Sequence, residues 1–183
     1  MDQKLYKLRL HLLSDEYDNS VMIDQLISSC FNDGDKLLLL CQREDSLLSL
    51  DESLVLREYI PVELQALGHY KIVDFRDSTR FSAVAEIVYS ENSMNVIDLA
   101  WNYFYSLVIC KTTLDFEEVI SRGSSWFKPD LLCERGVRNK VINYCCIRGI
   151  DPDNCYFTFL GTEIEFSTLK EKFESSGVKF NEM

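Results

Sequence analysis

A chain of 183 residues, 46% apolar and 27% charged, has the composition of a folded domain and enough length to bury roughly 70% of its unfolded surface. Its formal charge of −11 opposes nucleic acid and anionic lipid and favours basic proteins. The purest apolar run, residues 37–41, falls far short of the roughly 20 residues that cross a bilayer.

Charges at Lys4, Lys7 and Arg9 interrupt every apolar stretch near Met1, so no secretory leader is expected and the cytoplasm is the expected compartment. Leu8, Leu10 and Leu12 alternate with Arg9 and His11, the period of a half-buried strand. Met22/Ile23, Leu26/Ile27 and Cys30/Phe31 recur at helical spacing behind Asn19 or Ser20 as a cap. Asp33-Gly34-Asp35 makes a turn, and residues 36–41 follow as a continuous apolar strand. Residues 54–60 and 69–75 predict two more strands. The spacing of Phe81, Val84, Ala85 and Val88 favours a helix over 79–89, although residues 84–89 also fit a strand.

Ser93 is the expected cap of the longest helix, residues 94–109, apolar on most sides and therefore expected at the centre of the core. The next helix starts at Thr112 or Thr113, with Asp115, Glu117 and Glu118 at its positive end and Arg122 and Gly123 closing it. Short helices are expected over 129–134 and from Val137 to near Gly149. Residues 155–160 and 162–166 read as two strands joined at Gly161, and Ser167 as the cap of a last helix through Leu169 and Phe173 to Gly177. The expected fold class is α+β: a single domain with a mixed or antiparallel sheet, a central buried helix and several packed helices, with a weak sub-boundary near 90–93.

The seven glycines are isolated, so no phosphate-binding loop is written in the chain. Seven cysteines, with Cys145-Cys146 as the one close pair, lack zinc spacing and read as reduced core thiols. No metal and no cofactor are expected. His11 and His69 are the two histidines, and no local signature pairs either with a nucleophile. Trp126-Phe127 is either an exposed anchor for a partner or, more commonly for such a pair, a buried plug.

Charge is unevenly spread. Between Asp15 and Glu63 twelve acids face three bases, a net of −9, while from Arg122 to Arg148 six bases face two acids. Acidic loops on a scaffold without chemistry of its own suit a protein that covers the cleft of a basic partner. The candidate partner-binding residues are Asp15, Glu16, Asp18, Asp33, Asp35, Glu44, Asp45, Asp51 and Glu52.

This acid cluster, together with the missing enzyme motifs, resembles the immunity proteins that protect bacteria from contact-dependent and other polymorphic toxins. The resemblance implies a cytosolic, one-to-one inhibitor of a toxin domain such as a nuclease, with no nucleic-acid or membrane partner of its own. Two other classes stay open: a small cytosolic enzyme with a dispersed Cys/His site, and an adaptor subunit of a larger assembly.

Overall fold

The computed structural model describes residues 3–11, 27–44, 68–72, 80–104, 106–151, 154–175 and 177–183. Its frame is one sheet of eight strands: β1 (Lys4–His11), β2 (Lys36–Glu44), β3 (Gly68–Ile72), β4 (Arg80–Val88), β5 (Ser106–Thr112), β6 (Val141–Asp151), β7 (Asn154–Gly161) and β8 (Lys179–Glu182). Their order across the sheet is β3-β4-β2-β5-β6-β7-β1-β8. Every neighbouring pair is antiparallel. Strands from either side of residues 90–93 interleave, as where Leu38 in β2 pairs with Cys110 in β5.

Both faces of the sheet are covered. On one lie α1 (Glu91–Phe104), residues 27–31 and α4 (Glu163–Ser175). Here Met94, Ile97, Ala100 and Trp101 share a core with Leu37, Leu39, Leu107 and Ile109, while Phe166, Leu169 and Phe173 join Phe157 and Phe159. Tyr6 stacks on Phe166 at 3.9 Å between centroids, and Phe173 meets the Phe157 ring edge-on at 6.4 Å. The opposite face is crossed by the β5–β6 connection: α2 (Phe116–Ser121), two 3₁₀ turns (Gly123–Phe127 and Pro129–Cys133) and α3 (Arg135–Arg138). This strap buries Leu114, Val119, Trp126, Leu131 and Val137 against Leu38, Leu40, Val108 and Tyr144.

Trp126 is the plug of this second core, fully buried. Its indole N–H donates to the Val119 carbonyl at 2.9 Å, and the Tyr144 hydroxyl donates to the Trp126 carbonyl at 2.6 Å. The strap is cinched at its base, where the Thr113 N–H (2.8 Å) and the Thr112 hydroxyl (2.9 Å) both donate to the Lys140 carbonyl.

The expected α+β arrangement, with a central buried helix and several packed helices, is therefore corrected to a fold dominated by a single antiparallel sheet. The helix expected over 79–89 is β4. The helix expected over 94–109 starts and stops earlier, at Glu91–Phe104, lies on one face of the sheet rather than at its centre, and gives way to β5. The helix expected from Val137 to Gly149 is mostly β6. All three errors share one cause: a strand covered on both faces is apolar at successive positions and loses the alternation that separates it from a buried helix.

The reverse error is at residues 162–166, expected as a strand and found at the start of α4. Thr162 and Glu165 form a reciprocal cap: the Thr162 N–H donates to Glu165 Oε2 at 2.7 Å and the Glu165 N–H to Thr162 Oγ1 at 3.3 Å. This Thr-x-x-Glu box starts the helix five residues before Ser167. The reading of α2 agrees with the fold apart from its start, because Asp115 is the cap, boxed with Glu118, and Arg122 closes the helix. The turn at Asp33-Gly34-Asp35 is present, with Gly34 at φ +84°. The strand expected over 54–60 and the cap at Asn19 or Ser20 lie outside the described residues.

Gly161 is required for a packing reason. A Cβ there would run into the ring of buried Phe159, two residues back on the same face, and would stand 3.0 Å from Glu165 Oε2. Gly161→Ala is expected to destabilise the fold by about 1–3 kcal/mol, the usual cost of overpacking a core. Denaturant melts check this, and an unchanged midpoint would mean that the Phe159 ring swings aside at no cost.

Candidate functional site

The strand registers decide which acidic residues can share a surface. His11, Glu44, Ile72, Arg80, Asp151 and Asn154 stand at one end of the sheet. Lys4, Lys36, Gly68, Val88, Val141 and Gly161 stand at the other. The chain thus leaves β1 toward Asp15, Glu16 and Asp18, and leaves β2 toward Asp45, Asp51 and Glu52, from the same end. β1 and β2 are four strands apart in the sheet, about 19 Å at about 4.8 Å per strand. Asp15, Glu16, Asp18, Asp45, Asp51 and Glu52 themselves lie outside the described residues, and so does the side chain of Glu44.

Asp33 and Asp35 do not belong with them. They precede Lys36 at the opposite end of β2, a strand of nine residues that spans about 27 Å. Asp33 is exposed. Asp35 is committed internally: it pairs with Lys111, accepts from the Asn32 N–H at 3.0 Å, and its carbonyl accepts from the Tyr89 N–H at 2.8 Å. The Lys111 ammonium, through its hydrogen bond above all, and the Asn32 amide hold the Asp35 carboxyl below its ordinary value of 3.8.

Three of the six cations of the basic stretch are engaged within the strap or at its edge. Arg122 pairs with Glu134 at 3.3 Å and Lys140 with Glu118 at 2.9 Å. Arg138 donates to the Gln3 side chain at 3.1 Å and to its carbonyl at 3.2 Å. Arg148 stands apart, projecting from β6 beside the strap. There a pocket of about 180 Å³ opens between the strap and β7–β1, lined by Lys7, Phe127, Cys146, Arg148, Tyr156 and Thr158 among others. Sequence reasoning passed over this pocket. Its available signal was the alternation of β1, which puts Lys7 and Arg9 opposite Leu8 and Leu10.

The thiols are poor candidates for chemistry. Cys41, Cys110, Cys145 and Cys146 are buried, split between the two cores. Burial pushes the Cys110 thiol up to about 12, and raises Cys41 above its ordinary value still further. Burial likewise lifts Cys146 to about 11, against the opposing pull of the Tyr144 hydrogen bond and the Arg148 charge. Cys133 is exposed. His11 Nε2 lies 2.9 Å from Asn181 Nδ2, and the side chain of His69 is outside the described residues. Among the described residues no group of His, Cys, Asp and Glu is arranged to hold a metal ion, and no helix is long and apolar enough to cross a membrane. No family model and no curated protein matches this chain.

Two outcomes follow. Alkylation of the native protein near pH 8 is expected to label Cys133 and spare Cys41, Cys110 and Cys146 until the chain unfolds; mass spectrometry of the labelled peptides checks this. Because these thiols titrate higher when folded than their ordinary 9.0, the stability they contribute is complete below pH 9.0 and falls as pH rises toward the folded values. A fast-reacting buried thiol would contradict both statements.

Asp35→Asn is expected to cost about 1–2 kcal/mol at neutral pH by weakening a partly buried charge-assisted pair. The sign follows from the depressed value: the contribution is present above 3.8 and is lost as pH falls through the lower folded value. Wild type and variant should converge in acid, and melts across pH check it.

Proposed function

We propose that this chain works by contact, as a cytoplasmic inhibitor of the immunity-protein kind that presents carboxylates to the basic cleft of a partner such as a toxin nuclease domain. One observation carries the reading: the chain departs from β1 and from β2 at the same end of the sheet, directly into the segments that hold six of the nine candidate acids, with a seventh, Glu44, the last residue of β2. The two strand ends from which these segments start lie about 19 Å apart, a spacing on the scale of a protein interface, whose buried patch on each side is about 800 Å². A field of that sign speeds encounter with a cationic surface and rejects polyanions. The burial of four thiols weighs against the dispersed Cys/His enzyme.

The revised site consists of Asp15, Glu16, Asp18, Glu44, Asp45, Asp51 and Glu52, without Asp33 and Asp35. Capture of the partner from the host at low salt, then kinetics against it, tests this. Neutralising Glu44/Asp45 or Asp51/Glu52 to the amides should slow association about tenfold and flatten its salt dependence. Asp33→Asn, at the far end of β2, should change the rate less than about twofold. Equal rates in every variant, with normal melting, would mean that the acids only hydrate the surface.

A further inference from the structure

The strap covers β5 and β6 and stops short of the sheet's other edge. The strap-side core takes in Leu160 of β7 and Leu5 of β1, but past Phe127 the other end of β7 and β1 is open, and strand alternation stacks Lys7, Cys146 and Thr158 in one row, with Arg148 and Tyr156 in the next. The floor is closed: Cys146 is 4% and Thr158 8% exposed, with buried Phe127 at its side, while the side chains of Leu8 and Phe157 turn into the core on the other face. Lys7 and Arg148 are exposed at the mouth, and Tyr156, at 37% exposure, stands beside them.

The pocket is lined without any Asp or Glu side chain, in a chain with eleven more acidic than basic charges. Five other cations of this protein meet carboxylates: Lys36 with Glu86, Lys111 with Asp35, Arg122 with Glu134, Lys140 with Glu118 and Lys170 with Glu182. Among the described residues no ion pair involves Lys7 or Arg148. Two cations beside one recess, with no Asp or Glu side chain in its lining and Met183 at its rim, bonded through its N–H to the Lys7 carbonyl at 3.1 Å, are arranged for a negative group from outside.

We propose that this pocket binds a small organic anion, with a carboxylate or phosphate held between Lys7 and Arg148 and a single ring or short apolar body lying against Tyr156 and Phe127. Size sets the class. About 180 Å³ compares with the roughly 150 Å³ cavity that accepts benzene, so one ring fits and a dinucleotide does not. The arginine fork suits two-oxygen groups, and the half-enclosed recess beside Phe127 strengthens the pairing relative to open water. The site is independent of the acidic end of the sheet.

Phenyl phosphate, inorganic phosphate and benzylamine, each titrated into the full chain and followed by thermal shift and NMR, test the proposal. Phenyl phosphate should saturate about tenfold more tightly than inorganic phosphate through its ring, and benzylamine should not bind. Lys7→Gln with Arg148→Gln should weaken phenyl phosphate at least tenfold without moving the melting temperature of the free protein, since both side chains are exposed. Tyr156→Ala should reduce phenyl phosphate to the affinity of inorganic phosphate. No saturation up to about 10 mM, undiminished binding in the double variant, or equal binding of benzylamine would overturn the proposal.

Discussion

Strands β2, β5 and β6 are apolar on both faces, and that constraint organises the molecule. Leu37 and Leu39 point into one core, Leu38 and Leu40 into the other, so the sheet must be covered twice. An antiparallel sheet can leave one face in water; this one cannot. Covering the first face takes α1 and α4. Covering the second takes the long β5–β6 connection, folded into short helical turns and locked by Trp126 and by the hydrogen bonds at Lys140.

The same constraint positions the functional surfaces. The strap holds Arg122 and Lys140 in its own ion pairs and Arg138 at Gln3, and its edge at Phe127 leaves Lys7, Arg148 and Tyr156 on an open part of the sheet. The registers that pack the leucines also fix which loop-bearing strand ends lie together. Acid segments after β1 and β2 start from one end, and the Asp33–Asp35 turn sits at the other, latched to Tyr89 and Lys111.

Local chemistry was legible in the sequence. The glycine turn at Gly34, the apolar run of β2 and the close of α2 at Arg122 follow from residue type and spacing, whereas the Asp115–Glu118 box lies behind the expected start at Thr112 or Thr113. What could not be read was the identity of apolar runs buried on both sides, since β4, β5 and β6 lack the period-two signature. The Thr162-x-x-Glu165 box was present and was outweighed by the alternation of Ile164 and Phe166, of which Phe166 is buried and Ile164 is 61% exposed. Nearness in sequence also hides one separation: β2, an extended strand, carries Asp33 and Asp35 to the opposite end of the sheet from Glu44. The basic pocket is assembled from β1, β6, β7 and the strap, and no stretch of sequence contains it.

Hydrogen exchange on the protein alone and in complex with its captured partner tests the central claim most directly. The account predicts new protection at the ends of β1 and β2 near His11 and Glu44 and at the β6–β7 turn, with the Asp33–Asp35 turn unchanged. Protection centred on Asp33–Asp35 or on the outer surface of α4, with those strand ends unaffected, would contradict it.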